Sequence, residues 1–191
     1  MLPIEQSLFE FRKQFFKLAG GAFRVYDTNQ RLLLFSEQKA FKIREDIRVY
    51  SDETKTNQVL AIRTQQVLDI SPTFDVLEMP SGEKAGALKR KGLRSILRDE
   101  WEIYDPNGLL IGKVEEDSQL YAILRRFLTN LIPQKYHFTV HGRTVGTFQQ
   151  HFNPFVYRAT MDLSHDTGRA LDRRIALAAG ILLLAIEGRQ D

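Results

Sequence analysis

The densest run of side chains able to do chemistry is Lys89-Arg90-Lys91-Gly92-Leu93-Arg94-Ser95-Ile96-Leu97-Arg98. It carries five cations, Lys89, Arg90, Lys91, Arg94 and Arg98, with no acid before Asp99. Ammonium and guanidinium groups at that density bind phosphates or anionic lipid headgroups, and each contributes about 1 kcal/mol beside an anionic surface. The same residues also fit a solvated strand end and turn. His137 and His141 have the spacing of a metal-binding pair on a helix. On a strand that spacing separates them by roughly 13 Å, too far to share an ion. Glu115-Glu116-Asp117 is the acidic cluster. Neighbouring strand positions point to opposite faces, so it reads as a solvated turn rather than a carboxylate pair. No G-x-S-x-G, phosphate loop, H-E-x-x-H or dinucleotide fingerprint occurs. The expectation is therefore a non-enzymatic protein with no metal ligands and no cofactor.

Composition narrows the partners. The chain has 191 residues, 43% hydrophobic and 27% charged, enough for a substantial core in one domain. Lys plus Arg exceed Asp plus Glu by 27 to 24, a net charge of +3. That permits contact with an anionic membrane surface or nucleic acid without arguing for either, and no nucleic acid is expected. With no Cys, disulfides, thiol catalysis and Cys-ligated zinc are excluded. The N-terminus has no apolar segment followed by a small-residue cleavage site. A cytoplasmic location is expected, peripheral where it meets a membrane.

The elements that position these residues follow from pattern. Residues 4 to 18 place Leu8, Phe11, Phe15 and Leu18 at helical spacing, with Phe9 and Phe16 widening the stripe and Arg12, Lys13 and Lys17 basic. This predicts a short amphipathic helix in an N-terminal segment 1–19, either interfacial or packed on the protein; a packed strand is the other reading. Five hairpin-like units follow. Ala22 to Tyr26 turns at Asp27-Thr28-Asn29-Gln30 into Leu32 to Phe35. Ile47 to Tyr50 turns into Gln58 to Arg63, and Phe74 to Met79 into Ala85 to Arg90. Glu100 to Tyr104 turns at Asp105-Pro106-Asn107-Gly108 into Leu109 to Val114, and Tyr136 to Val140 turns at His141-Gly142 into Thr144 to Gln149. Lys39 to Ile43 and Val156 to Leu163 read as further strands. Ser118 to Leu131 carries Leu120, Ile123, Leu124, Phe127, Leu128 and Leu131 at helical spacing, ending before Pro133.

Ile175 to Ile186 has no polar side chain. A membrane span needs about 20 apolar residues, and a run of 10 to 14 is more often a core helix. The dozen strands, each about 20 Å long, match a central helix of about 18 Å. A dozen strands also leave more room inside than the eight whose side chains fill a barrel. The fold expected is mainly β: a closed, roughly 12-stranded antiparallel barrel in a single domain, 1–191, enclosing a hydrophobic C-terminal helix at 172–187.

The hairpin series, then Phe152-Asn153-Pro154-Phe155, then Leu171-Asp172-Arg173-Arg174, then the apolar helix, resembles the tubby-like barrel superfamily. Within it the chain is most similar to the LURP-one-related and phospholipid-scramblase-like proteins. The resemblance implies a twelve-stranded barrel around a C-terminal helix. Its members differ in activity: tubby proteins bind phosphoinositides through basic residues, and scramblases are associated with calcium-dependent lipid movement. A scramblase-like calcium loop would fall at 162–172. Three Asp are present there, but Arg169 and Leu171 stand where ligands are wanted and no closing Glu follows. Asp172 is instead expected to cap the helix. The function expected is binding or scaffolding, with anionic phospholipid headgroups as ligand. The alternative is scramblase-like lipid movement with the terminal helix inserted in the bilayer.

Overall fold

The computed structural model describes residues 5–16, 20–38, 46–64, 71–91, 100–117, 133–151, 153 and 156–186. Twelve strands occur in these segments: β1 Leu8–Phe16, β2 Gly20–Tyr26, β3 Leu32–Gln38, β4 Ile47–Tyr50, β5 Gln58–Thr64, β6 Thr73–Glu78, β7 Lys84–Arg90, β8 Glu100–Tyr104, β9 Leu110–Glu116, β10 Lys135–Val140, β11 Arg143–His151 and β12 Tyr157–Asp162. Each pairs antiparallel with its sequence neighbours, and β1 pairs with β12 to close the barrel. Closure leaves no free edge strand among the described residues. The final element is helix α1, Arg173–Ile186.

The five hairpins lie where turn residues put them, and two of the turns share a device. Asp27 Oδ1 accepts the backbone N–H groups of Asn29 and Arg31 at 2.8 Å each. Asp105 Oδ1 does the same for Asn107 and Leu109 at 2.9 and 2.8 Å. In each case a carboxylate replaces the backbone acceptor that a reversing chain lacks. The Lys39 to Ile43 strand and the Ser118 to Leu131 helix lie outside the described residues.

The N-terminal helix is corrected to a strand. Leu8–Phe16 pairs with β2 on one side and β12 on the other. Phe9 and Phe11 are buried, while Leu8 is 39% exposed. A stripe at helical spacing and an alternation of period two share Phe11 and Phe15. The long-range pairing that completes the barrel decides between them, which is tertiary context overriding a local pattern.

Helix α1 occupies the barrel's interior. Every residue from Ile175 to Ala185 is buried, and the helix packs into one cluster with Phe11, Val76, Ile103, Phe138, Phe148 and Met161. Small residues let the wall approach. A Cβ on Gly180 would lie 2.6 Å from ring atoms of Phe11 and 3.1 Å from Met161. On the wall, Gly86 has φ +151°, and a Cβ there would meet Tyr104 O at 2.4 Å and Ile175 Cδ1 at 2.9 Å. Both the backbone conformation and the space exclude a side chain. Gly86→Ala is expected to lower stability by at least ~2 kcal/mol, read as a fall in the urea midpoint at constant m. Gly82, at φ +74° with nothing within 4 Å, is the control: Gly82→Ala should cost about 1 kcal/mol. Equal losses at the two sites would contradict the close contact between wall and helix.

Candidate functional site

The two ends of the barrel differ. At one end lie the turns after β2, β4, β6, β8 and β10, together with the start of α1. The other end receives the end of α1 and the last residues of β5, β7 and β9. Lys89, Arg90 and Lys91 of the basic run belong to the second end. These three described members do not form one patch. Strand alternation puts Arg90 opposite Trp101, on the face that carries Leu88, while Lys89 stands opposite Glu102. Lys91 lies 2.6 Å from Glu100 and 3.3 Å from Glu102. The Glu100 hydrogen bond chiefly holds its ammonium above the ordinary lysine range. Burial would raise the Glu102 carboxyl, but hydrogen bonds from Tyr104 and Lys91 outweigh it and lower it. Lys91 is thus already neutralised by the wall it stands on. Arg94 and Arg98 lie outside the described residues.

Both ends of α1 are tied to the barrel by charge. Asp172 caps it: its Oδ1 accepts the Arg174 N–H at 2.8 Å, as the sequence led us to expect. The Arg174 guanidinium grips Asp172 Oδ2 at 2.6 Å and also bonds Glu78 at the end of β6. Asp172 and Glu78 raise its pKa further despite burial. Deeper in, Arg173 Nη1 meets Asp166 Oδ2 at 2.6 Å, with side chains 6% and 1% exposed. Asp166 also accepts the N–H groups of Ala170 at 2.7 Å and Leu171 at 3.2 Å. At the other end Lys13 Nζ donates to Leu184 O at 2.7 Å and lies 5.5 Å from the Phe23 ring centroid. A buried cation at a helix C-terminus satisfies an orphan carbonyl and complements the helix dipole.

Those contacts account for the acids of the 162–172 segment. Asp162 Oδ1 accepts the Ser164 N–H at 2.8 Å, and Asp166 and Asp172 serve the helix start. Among the described residues no group of three His, Cys, Asp or Glu is placed to hold a metal. His137 stands on β10, 3.2 Å from Asp117. His141 sits in the β10–β11 turn at φ +48°. The acidic cluster needs a correction. Glu115 and Glu116 are on β9, not in a solvated turn, and Glu116 is 4% exposed. Only Asp117 lies past the strand's end.

Sequence reasoning missed the interior polar groups. Lys13, Thr64, Trp101, Glu116 and Tyr136 all face inward, at the strand ends nearest the end of α1. Trp101 Nε1 and Thr64 Oγ1 are buried without a hydrogen-bond partner among the described residues. Alternation in β1 carried the one available signal, since Lys13 shares a face with Phe9 and Phe11.

These features define a class of protein: a closed, twelve-stranded antiparallel barrel wound around its own C-terminal helix. An X-ray structure of a protein from Arabidopsis thaliana superposes on the chain with a TM-score of 0.50, covering 95% of this chain and 92% of that one at 12% identity. At that identity the likeness speaks for the fold alone. No protein-family model and no curated protein matches the chain. Among the described residues no helix is long and apolar enough to cross a membrane.

Proposed function

We propose that the chain is a non-enzymatic binding or scaffold protein of the tubby-like, LURP-one-related kind, acting through its outer surface on anionic phospholipid headgroups. The observation that carries this reading is the enclosure of α1. The most apolar segment of the sequence is spent inside the barrel, so work on a partner falls to the wall and the rims. A peripheral location at the cytoplasmic face of a membrane fits that arrangement.

The alternative, lipid movement with the terminal helix in the bilayer, requires α1 to leave the barrel. Lipid would replace the apolar contacts of its leucines. It would not replace those of the inward faces of twelve strands, nor the buried Lys13 and Asp166 contacts that hold the helix ends. An unpaired buried charge is costly.

The test is sedimentation with phosphatidylcholine vesicles with and without phosphatidylserine. Replacing Lys89, Arg90 and Arg94 together by Ala removes three cations; Arg90 stands on the inward face, which leaves Lys89 and Arg94 to contribute about 1 kcal/mol each at an anionic surface. Binding to the anionic vesicles should fall by roughly 30-fold. Sedimentation equal to the parent chain would reject the basic run as the contact. Binding that resists high salt and carbonate would favour the inserted reading.

A further inference from the structure

The barrel wall is unevenly knitted. Among the described residues β3 and β4 share two residue pairs, Phe35 with Tyr50 and Ser36 with Val49. Every other seam has at least four. Both strands run on past Ser36 and Val49. Glu37 and Gln38 stay paired to β2, and Arg48 and Ile47 stay paired to β5. The four residues do not pair with one another across the seam. A side-chain bond spans the gap instead, from Ser36 Oγ to Arg48 O at 2.8 Å. β4 is the shortest of the twelve strands, and its ladder with β5 shifts register between Val49 and Tyr50.

Two ion pairs cross this seam. The β4–β5 turn is closed by the Ser51 N–H, which donates to Asn57 O at 3.0 Å. Asp52 Oδ1 shapes it further by accepting the Thr54 N–H at 2.8 Å. From this turn Glu53 meets Arg24 Nε of β2 at 2.6 Å, and Lys55 meets Glu37 of β3 at 2.8 Å. The turn belongs to the β4 side of the seam, and both partners belong to the other side. The Arg24 bond holds the Glu53 carboxyl below the ordinary carboxylate range, and the Glu37 bond holds the Lys55 ammonium above the ordinary lysine range. Arg24 also lies 5.4 Å from the Phe35 ring centroid. Phe35 is 3% exposed, although Leu34 and Ser36 beside it are the residues that face the interior. Where the backbone ladder is thinnest, side-chain charge closes the wall.

We propose that the β4–β5 turn is a strap latching a side opening of the barrel between β3 and β4, and that ionic strength sets how often it opens. Exposed ion pairs are screened by salt, whereas buried apolar contacts are not. Opening parts two residue pairs and the Ser36 bond, and leaves the longer ladders on either side whole. It uncovers Phe35 on the outer face and Leu34, Ser36 and Val49 on the inner one, all buried in the closed barrel. Such an opening is local and lies below global unfolding in free energy.

The chain has no Cys, so one introduced thiol reports one place. Ser36→Cys puts it in the seam. Ala159→Cys puts it on β12, at a wholly buried position whose neighbours on both sides are well paired. Labelling of the folded full chain by a neutral maleimide is followed at rising urea, in low salt and in about 1 M NaCl, where the screening length falls to about 3 Å. Ser36→Cys should label at least ~10-fold faster than Ala159→Cys and with little dependence on urea, as local openings do. Salt should speed it about fivefold, the combined loss of two exposed pairs. Glu37→Gln with Glu53→Gln should reproduce that gain in low salt and abolish the response to salt. Ala159→Cys should follow global unfolding and show neither effect. Hydrogen exchange of the unaltered chain is the second reading. Amides that bond across β3 and β4 should exchange faster than those across β1 and β12, and gain more from salt. Where Ser36→Cys does not fold, this comparison decides alone. Equal labelling of the two thiols with the same urea dependence would overturn the side opening. Seam labelling or exchange that ignores both salt and the Gln substitutions would overturn the strap.

Discussion

Leu183→Asp will leave no folded barrel in the soluble fraction. Leu183 is 2% exposed, and its neighbours Leu182 and Leu184 are wholly buried. A carboxylate there is placed in the apolar cluster that encloses α1. Burying an isolated charge costs far more than losing a methyl contact, and a domain has only about 5–15 kcal/mol of net stability to lose. The chain escapes that cost by keeping α1 out of the barrel. That leaves the inward faces of twelve strands exposed and prone to aggregation. Leu183→Met is the matched control. It keeps volume and polarity, so it should cost less than about 1.5 kcal/mol and express as the parent does. Deleting residues 172–191 should reproduce the Asp phenotype, because it empties the interior without adding a charge. Soluble yield, far-UV circular dichroism and thermal melting read all three. A Leu183→Asp chain that melts like the parent would mean that α1 does not lie in the core.

What the sequence disclosed follows physical lines. The hairpins were legible because the turn residues Asp27, Asp105, Gly108 and Gly142 act locally. Whatever pairs across them, a chain with those residues reverses there. The terminal helix was legible because a segment apolar on all sides must be buried, and Asp172 stood at the position of a cap. First-strand identity was not legible, because Phe11 and Phe15 serve two periodicities and the deciding contacts come from β2 and β12. For the same reason Lys13 read as one more surface cation, although it reaches Leu184 O inside the barrel. The placing of Arg12 beside both Arg24 and Arg158 on adjacent strands was beyond reach altogether. Arg12, Arg24 and Arg158 come together only through strand register, and a shift of one residue in any pairing would turn one of them to the other face. The basic run shows the opposite error. Lys89, Arg90 and Lys91 are adjacent in sequence, yet the strand sends them to different faces and Glu100 neutralises Lys91. Density along a chain is a poor guide to charge on a surface when the chain is a strand.

The second large effect concerns the helix start. Arg173→Met should destabilise the barrel by about 3–5 kcal/mol, the usual cost of removing one partner from a buried ion pair. The loss exceeds that of a surface bridge, because Asp166 remains behind with its side chain 1% exposed. Asp166 keeps its two backbone donors, from Ala170 and Leu171, so the connection into α1 should hold its shape while its charge goes uncompensated. Asp166→Ala should cost at least as much, since it strands the Arg173 guanidinium and frees both N–H groups. Asp166→Asn combined with Arg173→Met largely separates charge from geometry: the Asn oxygen can still accept the Ala170 N–H, only the longer Leu171 bond is given up, and no charge is left to compensate. The double variant should therefore be more stable than Arg173→Met alone, an inversion that ordinary additive losses never give. Urea denaturation of the four chains measures it. A double variant less stable than either single variant would show that Asp166 acts through its shape alone, and that the charge pair adds nothing to holding the helix in the barrel.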